Sequence, residues 1–307
     1  MSDQEIGLPV VLVTTADMQS GRDAALRRLV DSVERFCASR PGVPVIHLML
    51  LQRCSDAAAA SEQLGFPPRM IVTTVDRQVP LSTARNMMIN SLLSDPPDGF
   101  EEAVVAFPDD DAWYPEGVLE YIHSRFETDA ALDFWFCRYG SAAALPAEVR
   151  EQTPSLQQTI SRASSNTIVI RGKVLRACSG FDENLGLGTP ARSGEDTDFA
   201  MRSFFAARKV AMAPYVMVGH RDFDPAIRAN YYGGTLIALG RHLGVSSAAK
   251  LAFLRKVLVG VALVAKRDLS IGGLAAAWKG FGTNRRAINP APSLWPASAP
   301  DRAAKKV

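Results

Sequence analysis

Four short apolar runs most constrain what this chain can fold into: LPVVLV at residues 8–13, VIHLMLL at 45–51, MIVTTV at 70–75 and AVVAF at 103–107. They are rich in β-branched residues and lack polar alternation, so each reads as a strand buried on both faces. Helical spacing fills the gaps. Residues 22–39 place Ala25, Leu29, Val33 and Phe36 on one face, and residues 82–93 place Ala84, Met87, Met88 and Leu92 inward behind an N-cap at Ser82 or Thr83. Strand and helix in turn predict an α/β fold, a Rossmann-like, mostly parallel sheet with helices on both faces. Further strands are predicted at 132–138, 167–170 and 210–218, a short helix at 171–177 and an amphipathic helix at 195–208.

The chain has 307 residues and can bury a large core without disulfides. Cys37, Cys54, Cys137 and Cys178 contain no C-x-x-C pair, which excludes a zinc ribbon and a dithiol redox motif and fits reduced thiols in the cytoplasm. The N-terminus lacks the basic flank and apolar segment of a signal peptide. No run of about 18 apolar residues occurs, so no membrane span is expected.

Net charge is +2, but residues 235–307 carry 12 Lys and Arg against 2 Asp and Glu. The remainder carries 22 against 30, giving an acidic body and a basic tail. Three units are expected: a catalytic domain over 1–234, a basic helical extension over 235–289, and a Pro/Ala-rich disordered tail over 290–307. In the extension, Arg255-Lys256 and Lys266-Arg267 lie three helical turns apart, flanked by Val257, Leu258, Val261 and Val264. Such a helix either lies on an anionic membrane surface or packs on the domain with its cations outward. The aromatic interleaving of a single-strand binder is missing, so nucleic acid is not an expected partner.

Candidate chemistry sits at the carboxyl ends of the strands, where ligands gather in open α/β sheets. FPDDDAWYP follows the fourth run, and burying adjacent like charges is costly unless something compensates. Asp109, Asp110 and Asp111 form either a solvated turn or a D-x-D site for Mg2+ or Mn2+ beside a diphosphate. The spacing of further oxygen ligands does not fit a calcium loop. Glu195 and Asp196 open a helix, where acids favour the dipole or where one serves as a general base. His220 follows the last strand, either structural or facing the same edge. Arg85, in A-R-N at a helix start, suits an anion or is a surface residue.

In this order, TTADM, LSTARN, VVAFPDDDAWYP, SNTIVIRGKVLRACSGFDENLG, SGEDTDFAMR and the final GH resemble the family 2 GT-A glycosyltransferases over residues 8–221. The resemblance implies an enzyme that moves a sugar from a nucleotide-sugar donor to a hydroxyl, with inversion. It implies Asp196 as base with Glu195 orienting a sugar. Asp109 and Asp110 would bind the donor, with Asp110 or Asp111 as the main ligand of Mg2+ or Mn2+ and His220 nearby. Arg85 would contact phosphates, and Thr15 and Asp17 would line the nucleotide pocket. Two departures stand out: the second strand ends LLQRCSD without the usual acids, and the first loop lacks the usual proline and asparagine. The tail resembles those of bacterial transferases acting on lipid-linked sugars, which implies a glycan or lipid-linked acceptor, surface polysaccharide synthesis and a place at the inner face of the plasma membrane. Residues 141–165 are expected to form an acceptor loop. A degenerate transferase acting as a scaffold, or a sugar-1-phosphate nucleotidyltransferase, is the alternative; the latter lacks its Gly-rich opening loop here.

Overall fold

The computed structural model describes residues 7–222 and 229–287. Seven strands form one sheet among the described residues: β1 (Val10–Asp17), β2 (Val45–Gln52), β3 (Met70–Val75), β4 (Val104–Ala106), β5 (Leu132–Gly140), β6 (Ile168–Arg171) and β7 (Lys209–Gly219). Their order is β3-β2-β1-β4-β6-β5-β7. Only β6 runs antiparallel to its neighbours, β4 and β5. The mostly parallel α/β fold is therefore as the apolar runs predict.

Alternate residues of each central strand feed two separate cores. Val11 and Val13 pack on one side of the sheet, and Val10 and Leu12 on the other. All four are buried, and full burial of one such side chain stabilises by about 1.5–3 kcal/mol. This explains why β1, β2 and β4 show no polar alternation; β3 is instead the edge strand, with Ile71 exposed.

The helices are α1 (Asp23–Ser39), α2 (Ala57–Leu64), α3 (Leu81–Ser94), α4 (Val118–Thr128), α5 (Leu156–Arg162), α6 (Gly172–Cys178), α7 (Glu195–Ala206), α8 (Tyr232–Arg241), α9 (Ser247–Ala265) and α10 (Ile271–Ala287). Three expectations change in detail. Strand β1 extends four residues past Val13, because its ladder to β2 continues to Asp17 opposite Gln52. Helix α3 starts after Pro80 with no side-chain cap. Ser82 donates instead to Leu185 O and Thr83 to Glu183. Met87 is exposed, and Ile89 takes the inward place. Residues 141–165 are not wholly loop: α5 opens with a Ser155–Gln158 capping box.

Arg171, at the end of β6, is buried and donates to the carbonyls of Leu132, Glu102, Phe126 and Asp129. It is a structural cation satisfied by backbone.

The division at 234/235 falls within α8, and residues 290–307 lie outside the described residues. Helix α8 packs on α7 through Gly194 and Gly234. A Cβ on Gly194 would stand 2.3 Å from Gly234 O, and Gly194 also adopts φ +97°. His242 Nε2 adds a 2.8 Å bond to Asp198 of α7. Among the described residues, no helix is long and apolar enough to cross a membrane.

Candidate functional site

β1 lies between β2 and β4, so the chain crosses over in opposite directions on its two sides. A crevice forms above the carboxyl ends at such a switch point. Here it holds a cleft of about 610 Å³, lined by Thr15, Asp17, Gln52, Val79, Asp109–Asp111, Arg22 and Arg221 among others. Thr15, Asp17 and the acidic triplet thus line one cleft.

β4 ends at Ala106, and Phe107 anchors the next turn by packing edge-on against Phe181 and Phe199. Asp109 O then accepts a bond from Ala112 N at 3.0 Å, so the backbone curls and the three carboxylates diverge. Each meets a different basic side chain. Asp109 accepts from Arg85 Nη2 at 2.6 Å, Asp110 from Arg22 Nη1 at 2.8 Å, and Asp111 Oδ1 lies 3.0 Å from His220 Nε2. The cost of adjacent acids is offset by two guanidinium groups, from α3 and the entry to α1, and by an imidazole at the end of β7.

His220 is aimed by a tight contact. Trp113 and Gly219 exchange two backbone bonds, 3.0 and 2.8 Å, tying the segment after the triplet to the end of β7. A Cβ on Gly219 would stand 2.0 Å from the Trp113 ring, so only glycine fits. His220 Nδ1 donates to Arg221 O at 2.9 Å, which leaves Nε2 facing Asp111 and Asp109, the latter at 3.8 Å. Burial opposes a charged imidazole there, but the bond and charge of Asp111 outweigh it and raise the pKa. Burial likewise acts to raise Asp111, but the bond from His220 and the charges of His220, Arg22 and Arg221 outweigh it and lower its pKa. Burial dominates at Asp109 and Asp110 and raises both, against Arg85 and Arg22 respectively.

Ligand atoms of Asp109, Asp111 and His220 lie within 4.8 Å of one another. Two carboxylates and an imidazole whose other nitrogen is bound to backbone fit a divalent cation. Asp110 does not join this set; it faces Arg22. Of the two registers open in the sequence, Asp111 is the one that lies in this group, together with Asp109.

The Glu195-Asp196 pair opens α7 behind Gly194. Ser164 Oγ donates to Asp196 Oδ2 at 2.9 Å. Asp196 Oδ1 has no hydrogen-bond partner and lies 3.8 Å from Arg85 Nη1, which also has none. Arg85 is not a surface residue. It is 2% exposed, holds Asp109 and Ser165 with one nitrogen, and is absent from the cleft lining. The two acidic motifs therefore meet at one buried guanidinium. Glu195 is buried, and burial first, then the charge of Asp196, pushes its pKa up to about 8.

Sequence reasoning missed Arg22, Arg221 and Ser164. Arg22 opens the helix predicted over 22–39, where a cation opposes the dipole, and that misfit was its signal. Asn86 of A-R-N is a brace: it exchanges two 2.8 Å bonds with the backbone of Phe181 in the G-F-D-E segment. Asp17 is held by Arg53, whose hydrogen bond lowers the Asp17 pKa. Gln52 accepts from Val79 N, so both departures at the strand ends serve local bonding.

No protein-family model matches the chain, and no curated protein sequence matches it. Solved structures do. The structure of S. aureus TarS 1-349 in complex with UDP-GlcNAc superposes with TM-score 0.53 at 13% identity, covering 91% of this chain and 92% of that one. TarS 1-349 without that ligand gives 0.55 at 13% identity over 81% and 71%. The mannosyltransferase PcManGT from Pyrobaculum calidifontis, in complex with GDP-Man and Mn2+, gives 0.53 at 13% identity over 92% and 81%. At these identities the likeness is one of fold, the fold these glycosyltransferases share.

Proposed function

We propose that this chain is a metal-dependent inverting glycosyltransferase of the family 2 type, acting from a nucleotide-sugar donor on a hydroxyl of a glycan or lipid-linked acceptor, in surface polysaccharide synthesis. The observation that carries the reading is the convergence of Asp109, Asp111 and His220 beside a switch-point cleft, with Asp196 joined to Asp109 through Arg85. The donors in the structural neighbours, UDP-GlcNAc and GDP-mannose, support a nucleoside diphosphate sugar as the donor class.

Thr15, Asp17 and Gln52 would border the nucleoside, and Arg22 and Arg221 the diphosphate. Bound by Asp109, Asp111 and His220, Mn2+ or Mg2+ supplies charge neutralisation of the leaving group. Asp110 keeps Arg22 directed into the cleft. The Asp196 carboxylate accepts the acceptor's hydroxyl proton as the acceptor oxygen bonds to the anomeric carbon. The bond from that carbon to the phosphate oxygen breaks on the opposite side, and the nucleoside diphosphate leaves with the electron pair. Ser164 orients that carboxylate through Oδ2. Glu195, neutral at pH 7 by its raised pKa, donates to a sugar oxygen.

The catalytic unit is read as residues 1–234 and the helical extension as 235–289. Calorimetry with UDP and GDP tests the reading: binding of one nucleotide that strengthens with Mn2+ supports it, and binding indifferent to metal contradicts it.

A further inference from the structure

Helix α9 was expected to show Arg255-Lys256 and Lys266-Arg267 on one face. The structure divides them. Lys256 turns inward over the Tyr232 ring at 5.2 Å, while Arg255, Lys266 and Arg267 are exposed. Ala249, Ala252, Gly260 and Leu263 face the protein, where a Cβ on Gly260 would stand 2.1 Å from Tyr232 Oη. The opposite face carries Leu251, Leu254, Leu258 and Val261, which are 67%, 54%, 61% and 57% exposed. Their spacing of three and four residues makes one straight row, about 15 Å long at 1.5 Å per residue.

We infer that this row is a membrane-docking surface, on which α9 lies in the plane of an anionic lipid bilayer with its four aliphatic side chains among the acyl chains. Charge selects the occupant. Exposed Lys250 and Arg255 flank the row, and Lys266 and Arg267 follow its end. Residues 229–287 contain nine Lys and Arg and a single acid, Asp268. A second copy docked on the row would bring like charges together, whereas anionic headgroups complement them. The row is aliphatic, without the Trp and Tyr anchors that dominate protein interfaces.

The docking helix is coupled to the candidate site. α9 packs on Tyr232 of α8, and α8 is tied to α7 through Gly194–Gly234 and His242–Asp198. A bilayer holding α9 would hold Glu195 and Asp196 at a fixed height above it, as a lipid-linked acceptor requires. This second step rests on the transferase reading; the docking does not.

The test is flotation of the full chain with phosphatidylcholine vesicles, with and without phosphatidylglycerol. Flotation is expected only with the anionic lipid, and weaker in high salt. L254Q/L258Q is expected to weaken binding at least tenfold, or about an order of magnitude. K250Q/R255Q is expected to weaken it about fivefold per charge removed. Flotation unchanged by L254Q/L258Q, or none with anionic vesicles, overturns the inference. So does a wild-type dimer in sedimentation that L254Q/L258Q dissociates, since a second copy then covers the row. Metal-dependent nucleotide binding is expected to be equal in wild type and L254Q/L258Q. Its absence in both would strike the transferase reading and leave the docking result intact.

Discussion

Arg85 Nη1 lies 3.8 Å from Asp196 Oδ1, with neither atom hydrogen-bonded, while Arg85 Nη2 holds Asp109 at 2.6 Å. Both atoms are buried, so the guanidinium and the carboxylate face each other directly across that distance. Arg171, equally buried, has its donors satisfied by carbonyls. The contrast separates an arginine that completes a fold from one that joins the two acidic motifs.

Removing Arg85 leaves Asp109 and Asp196 uncompensated. Arg85→Met is expected to lose roughly 3–5 kcal/mol of stability in urea unfolding, because a buried pair is broken from one side. Adding Asp109→Asn is expected to recover part of that loss, a non-additive cycle. An additive result would show that the two residues do not act as a pair.

The triplet makes an unequal prediction for its members. Asp111→Asn, Asp109→Asn and His220→Ala are each expected to weaken Mn2+ binding in calorimetry by more than about tenfold. Asp110→Asn is expected to change it by no more than about threefold, since Asp110 faces Arg22. Equal losses at all three aspartates would return Asp110 to the metal.

His47 of β2 is buried and bonded to Thr14 Oγ1 of β1 at 3.0 Å, and burial lowers its pKa to about 4 from 6.5. A proton therefore binds the unfolded chain before the folded one. Stability from this group is full above pH 6.5 and falls as pH drops to about 4, by roughly 3 kcal/mol. His47→Gln is expected to flatten that part of the stability profile relative to wild type. Parallel profiles would count against the assignment.

Glu195 has the opposite sign. Its folded pKa stands above the unfolded one, so its contribution is present below pH 4.5 and is lost as pH rises through about 8. Glu195→Gln is expected to melt higher than wild type above about pH 8 while transferring sugar more slowly. A variant that melts no higher there would show that the Glu195 carboxyl is not held neutral by burial.

The sheet was legible because strands buried on both faces leave unbroken apolar runs, as β1 and β2 do. Helices α2 and α5 were passed over although their caps are written in the sequence: Asp56 with Gly65, and Ser155 with Gln158. Each has at most eight residues and too short an apolar period to register. The locations of the triplet and His220 followed from strand ends, and that of the Glu195-Asp196 pair from a helix start. Their partners did not. Arg22, Arg85 and Ser164 reach the site from elements 88, 24 and 32 residues away from the acids they bind, and pairings at that separation leave no local pattern. The inward turn of Lys256 likewise depended on Tyr232, which only packing reveals.

The most direct test of the central claim is sugar transfer from a panel of UDP- and GDP-sugars with Mn2+, comparing wild type with Asp196→Asn and reading the product's anomeric configuration by NMR. The account predicts an inverted product from one donor and a loss of roughly 10²–10⁴ in Asp196→Asn, with nucleotide binding retained. A product of retained configuration, or full activity in Asp196→Asn, would contradict it.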